Sequence, residues 1–156
     1  QTGRKGEQMN FTVNTIAISL AEYLAPFLPG VMFLQDPAQQ GVQTPCMFLQ
    51  QRYSYITLQT GGYYYRRICL DLTYLEDYNL QELYQQAAEI LDLNMETLAY
   101  NDGISTGTVL IRTYDRQWRI DLDALHYKFE IRERVSIPDT TQTKMQTIQE
   151  LTEEVL

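Results

Sequence analysis

Three side chains hold the thiol and soft-ligand chemistry of this chain: Cys46, Cys69 and His126. A thiol beside an imidazole would be a nucleophile with its general base. Neither cysteine lies in a Cys-x-x-Cys or nucleophile-type motif. A structural zinc site wants about four Cys or His ligands, and the chain has two cysteines and one histidine. Packing as small apolar side chains is the ordinary role of such cysteines. His126, between Leu125 and Tyr127, is expected on the outer face of a strand. The acidic pairs Asp71/Asp77 and Asp121/Asp123 are of the type that does acid–base work, although strand-face carboxylates are more often solvated. Gly61-Gly62 lacks the GxxxxGK[ST] spacing of a phosphate loop and precedes no helix; between two strand-like runs it reads as a hairpin turn. No catalytic, metal or cofactor residue is therefore assigned. A small thiol enzyme or ligand-binding domain using Cys46 and His126 remains the alternative of a different class.

Totals narrow the classes further. A chain of 156 residues fits one domain with a real core. A net charge of −8 opposes specific nucleic-acid binding or an anionic membrane surface as the main function. No stretch approaches the ~20 apolar residues of a membrane span, and no secretory signal is visible. Tyrosine occurs 12 times and lysine only three; interfaces favour the first and are depleted in the second, which hints at assembly.

The elements that must position these residues centre on a long hairpin. Its runs are Cys46–Leu58 and Tyr63–Tyr74. In the second, Tyr64, Arg66, Ile68, Leu70 and Leu72 share one face, and Arg67, Cys69, Asp71 and Thr73 the other, the alternation of a half-buried strand. In such a hairpin Cys46 lies opposite a residue near position 76, roughly 20 Å from Cys69. A disulfide needs Cα atoms within about 7 Å, so two free thiols are expected, suited to a reducing cytosol. Arms spanning about 40 Å should carry the tip beyond the domain. The cluster Tyr53, Tyr55, Tyr63, Tyr64 and Tyr65 then either pairs across the hairpin or meets a neighbouring subunit. Together with Gln59, Thr60, Gly61, Gly62, Arg66 and Arg67 it forms the candidate subunit or tube interface. Arg52, Arg66 and Arg67 contrast with Glu76, Asp77, Glu82, Glu89, Asp92 and Glu96 elsewhere; a head-to-tail ring can use such a pairing.

Around the hairpin, residues 12–28 read as a helix with the stripe Val13, Ala17, Leu20, Leu24 and Phe27, capped by Thr12 or Asn14 and stopped by Pro29-Gly30. Val31–Leu34 reads as a buried or edge strand, and residues 35–44 as a loop. A second helix is expected over 79–93, capped by Asn79 with Glu82, with Leu80, Leu83, Ala87, Ile90 and Leu91 inward. Asn101-Asp102-Gly103 marks a turn, Thr108–Thr113 a strand and Asp115 another turn. A long last strand comes next, in which Trp118, Ile120 and Leu122 give way to Leu125, Tyr127, Phe129 and Ile131 on the other parity; a β-bulge near Asp123-Ala124 would reconcile them. Pro138 breaks the sheet. Residues 140–156 read as a third helix, with Met145, Ile148, Leu151 or Thr152, and Val155 on one side. Met9 is a plausible natural start. The expectation is a flexible segment 1–9, one α+β domain over 10–138 and a C-terminal helix over 139–156. The domain is a mainly antiparallel sheet with a long hairpin, backed by two helices.

The succession of segments resembles a known family. Helix, PCMFL strand, YYYRRICLDLTYL strand, helix ELYQQAAEILDL, the strands around DGISTGTVLIRTYDRQWRIDLDALHYKFEIRER and an acidic tail are similar to small phage tail terminator proteins, from the tail-assembly modules of Gram-positive phages, prophages and phage-tail-like particles. The resemblance covers roughly residues 10–155, carried mainly by Pro45-Cys46 and RRICLDLTYL. Residues 1–8 and the longer Thr/Gln-rich C-terminal part depart from it. It implies a structural protein rather than an enzyme, with a tail-terminator-like fold and no cofactor. The implied assembly is a hexameric ring capping the tail tube at the top of the tail, assembled in the bacterial cytoplasm. Its implied partners are itself, the tail tube protein, the sheath protein of a contractile tail and the head-neck connector, and the net negative charge suits a lumen through which DNA slides. Another neck ring, such as a head-completion protein, is the neighbouring alternative.

Overall fold

The computed structural model describes residues 11–35, 44–77, 81–103, 107–121 and 123–136. Among them the elements run α1 Val13–Leu24, β1 Met32–Leu34, β2 Cys46–Gln59, β3 Tyr63–Leu75, α2 Gln81–Asn94, β4 Thr97–Tyr100, β5 Val109–Ile120 and β6 Leu125–Ser136. The strands form one sheet in the order β1-β2-β3-β6-β5-β4. Only β1 against β2 is parallel; the other pairings are antiparallel. This is the expected α+β architecture. The segment 1–9, the Asn79 cap, Leu80, Leu122, Pro138 and the helix over 140–156 lie outside the described residues.

Both helices bury their apolar stripes in a single core against one face of the sheet. Thr12 caps α1 through a capping box: its Oγ1 accepts from the Thr15 N–H at 3.1 Å, and Thr15 Oγ1 accepts from the Thr12 N–H at 3.0 Å. The buried stripe of α1 is Ile16, Leu20 and Leu24, continued by Leu28. Val13 and Ala17 only border it and Phe27 is exposed, because the helix ends at Leu24 and the next turn leaves its phase. In α2, Tyr84, Ala87, Ala88 and Leu91 are buried, with Leu83 and Ile90 at the margin. The Tyr84 phenol is satisfied in the core, accepting from the Glu76 N–H and donating to the Asp123 carbonyl, both at 3.3 Å. Asp92 ties the end of α2 to the sheet: it accepts from Tyr127 Oη at 2.8 Å and Trp118 Nε1 at 3.1 Å. The sheet side is Met47, Ile68, Leu70, Leu72, Tyr74, Leu98, Tyr100, Ile111, Leu125, Tyr127, Phe129 and Ile131.

The second half holds one strand that was not expected and corrects two expectations. Thr97–Tyr100 is a strand that the sequence reading passed over; it buries Leu98 and Tyr100 against β5. Asp115 makes no turn between strands. It sits at a positive φ of 54° inside β5, where the register against β6 shifts between Tyr114 and Gln117. That is a β-bulge, and it brings Arg116, Trp118 and Ile120 round to the core side while Tyr114 stays outside. The parity change near Asp123-Ala124 is no bulge: Asp121–Ala124 joins two separate strands, closed by the Asp121 N–H donating to the Ala124 carbonyl at 2.9 Å. Ile120 lies opposite Leu125, so opposite numerical parities meet on one face across a hairpin.

Candidate functional site

The long hairpin extends past the core. β2 and β3 are paired from Cys46↔Leu75 to Gln59↔Tyr63. Near the foot, Cys46, Met47 and Ile68–Tyr74 are buried; from Gln51 to Leu58 every residue of β2 is exposed, on both faces. A bulge separates these regimes. The register skips Arg52, between Gln51↔Leu70 and Tyr53↔Cys69. Below it Met47 and Leu49 face the core. Above it Ser54, Ile56 and Leu58 take that face, opposite Ile68, Arg66 and Tyr64. The helices give no cover there, leaving Ile56 63% and Leu58 64% exposed.

The projecting part contains a strand that the hairpin alone did not suggest. β6 continues alongside β3 until Ser136 lies opposite Tyr63, so the arm is three-stranded, with β3 in the middle. Its outer face alternates cations and rings. Arg67 lies over Tyr55 at 5.6 Å, Arg132 over Tyr114 at 4.3 Å and Arg134 over Tyr63 at 5.2 Å. Tyr53 and Tyr55 meet at 5.2 Å. Of the candidate interface residues, Tyr53, Tyr55, Thr60, Gly61, Gly62 and Tyr63 are exposed, whereas Gln59, Tyr64, Tyr65, Arg66 and Arg67 are half-buried. Gly61 and Gly62 both take positive φ in the turn.

Glu130, in β6, holds this face together. It accepts from Arg67 Nε at 3.0 Å and Nη2 at 3.1 Å, and from Arg132 Nε at 2.6 Å. Arg132 also reaches Asp115, at the β5 bulge, at 3.0 Å. Burial pushes the Glu130 carboxyl up, but hydrogen bonds and attraction from the two guanidiniums outweigh it and hold the group below its ordinary value of 4.5. A depressed carboxyl contributes stability above its unfolded value, lost as pH falls through the folded one. Glu133, raised by burial and partly restrained by Arg66, has the opposite sign: its contribution is present in acid and lost as pH rises. Glu130→Gln should therefore cost about 1–2 kcal/mol at neutral pH, since both arginines can rehydrate. The gap to the parent chain should close below pH 4.5. Denaturant melts from pH 3 to 7 read this; a gap independent of pH would contradict it.

The residues considered for chemistry do not make a nucleophilic site. Cys46 and Cys69 are buried free thiols, as the hairpin register required, and burial pushes the Cys46 thiol up, away from reactivity. Thr73 lies opposite both Phe48 and His126. Cys46 is thus two strands across and two residues along from His126, on the order of 10 Å. His126 does occupy the outer face, between two carboxylates: Nδ1 is 3.1 Å from Asp71 and Nε2 is 3.3 Å from Asp121. Asp71 is fully buried and also meets Arg52 Nε at 3.5 Å and the Thr73 hydroxyl at 3.1 Å. Asp77 takes the Thr44 hydroxyl instead, and Asp123 stays exposed. The acidic pairs are thus split, and Asp71, His126 and Asp121 form a chain of polar contacts at the arm's foot. Among the described residues no group of three acidic, His or Cys side chains is placed to hold a metal, and no helix is long and apolar enough to cross a membrane.

The described residues thus close one core under two helices and leave a long arm exposed. No curated protein matches the chain. A family model described as phage tail terminator protein matches residues 14–143, a span that takes in all of α1 but its first residue, the whole of α2 and all six strands of the sheet, and the chain belongs to that family.

Proposed function

We propose that this chain forms a ring, a hexamer, that caps the tail tube, ends its polymerisation and joins the tail to the head or neck. The observation that carries this reading is the arm. A strand with Tyr53, Tyr55, Ile56 and Leu58 all exposed is a large apolar surface for a monomer to leave in water, and a ring covers it with the next copy or with the tube. The partners in this reading are the chain itself, the tail tube protein and, at the other rim, the connector or the last sheath ring. The place is the top of the tail in a virion or tail-like particle. The net charge of −8 suits a lumen through which DNA slides.

Light scattering and negative-stain microscopy of the protein, alone and with isolated tail tubes, test it. Hexamers in solution or rings seated on tube ends are expected. A protein that stays monomeric at high concentration and ignores tubes overturns the reading. Removing the gene should give overlong or headless tails.

A further inference from the structure

The arm has two open edges on opposite sides. β1 accompanies β2 only over Cys46–Phe48, so from Leu49 to Gln59 one side of β2 has no neighbouring strand among the described residues. β5 accompanies β6 only as far as Thr113↔Ile131, so among the described residues Arg132–Ser136 has no strand paired on its far side either. Edge strands normally carry lysine, proline or inward charges that block pairing with another chain. β2 beyond Arg52 reads Tyr-Ser-Tyr-Ile-Thr-Leu-Gln and has none of these. The β6 edge carries Arg132, Glu133 and Arg134, charges that discourage pairing with a like edge but not with the uncharged β2.

The two edges match chemically and geometrically. On the outer face each arginine of the arm lies over a tyrosine of an adjacent strand. A second β2 laid beside β6 would set Tyr55 of the next copy by Arg132, continuing that pattern, and the Thr57 hydroxyl by Arg134. Two β6 edges together would oppose like charges instead. β2 and β6 are both antiparallel to β3, so they run the same way. A neighbour related by rotation about an axis along the arm therefore presents its β6 parallel to β2, at equal height.

We propose that the free edge of β2, Tyr53–Gln59, is a strand-addition site for the free edge of β6, Arg132–Ser136, of a second copy of this chain. The inference rests on the ring reading and names the surface that closes the ring. Such a contact is heterologous: it leaves one edge of each kind open at either end of a growing arc, and only closure satisfies both.

Disulfide trapping tests it. Thr57 and Arg134 lie at one level, on either side of Tyr65. Within one chain they are two strand spacings apart, about 10 Å, beyond the ~7 Å limit for a bridge. Thr57→Cys with Arg134→Cys should therefore bridge only between copies; Thr57→Cys with Ser136→Cys allows for stagger and spares Arg134. The native thiols are buried, and each single variant serves as a control. Mild oxidation of either double variant should yield a ladder of covalent oligomers up to the ring, reversed by reductant. No ladder from either double variant while microscopy shows rings overturns this edge contact and leaves the ring standing. No ladder and no rings overturns both. Covalent dimers from Thr57→Cys alone indicate β2 against β2, a two-fold contact, and also overturn the proposal.

Discussion

Ile56→Lys with Leu58→Lys is expected to abolish assembly while leaving the fold intact. Both side chains lie beyond the bulge at Arg52, where the helices no longer cover the sheet, and they are 63% and 64% exposed. Substitutions at such sites usually change stability by no more than about 0.5 kcal/mol, so the melting temperature should stay within a few degrees. Covering what remains exposed of the same two side chains in an assembly contributes about 1–2 kcal/mol each. Losing both lowers affinity at each contact by roughly 30-fold or more, and lysine adds a desolvation cost. Sedimentation together with tube-capping assays reads the first effect, and thermal melts read the second. Intact assembly would exclude this face of the arm from the contact; a large fall in melting temperature would show that the pair serves the fold. A Tyr63, Tyr64 and Tyr65 triple to serine is the blunter probe. Tyr64 and Tyr65 are half-buried and Tyr63 carries Arg134, so that variant mixes folding with assembly.

The hairpin was legible because its signals are local: alternation in Ile68, Leu70 and Leu72, two glycines at the turn, and a length too great for the core. Its register from the turn to the bulge was legible too, and with it, to within one residue, the separation of Cys46 from Cys69. The points where a strand changes face could not be read. Arg52 and Asp115 are single residues at which β2 and β5 bulge, and each reverses the inward parity of the rest of its strand. Asp115 did carry a sign, since aspartate tolerates the left-handed region, but the same sign fits a turn. β4 has four residues, too few to establish a period. The third strand of the arm and the Glu130 clasp on Arg67, 63 positions away, depend on how β6 registers against β3. Nothing local in Phe129-Glu130-Ile131 announces that partner.

Asp71→Ala should be the most damaging polar substitution in the described part of the chain. Asp71 is fully buried on the face away from the helices, where the arm leaves the core. It gathers the Thr73 hydroxyl, the His126 imidazole and the Arg52 guanidinium. Truncating the carboxylate leaves these groups facing a vacancy. The cost of breaking a buried pair reaches about 3–5 kcal/mol. Here Arg52 is 40% exposed and His126 19%, so water recovers part of it, and about 2–3 kcal/mol is expected. That corresponds to a fall in melting temperature of about 5–12 °C for a domain of this size. If the carboxylate and the imidazole form one structural unit, His126→Ala should cost less in the Asp71→Ala background than alone. A double-mutant cycle would then return a coupling of about 0.5–3 kcal/mol. Protein that remains folded should still reach tube ends, because the exposed residues of the arm are untouched. An unchanged melting temperature with assembly lost would invert this assignment, making the buried aspartate part of the contact rather than the foot on which the arm stands.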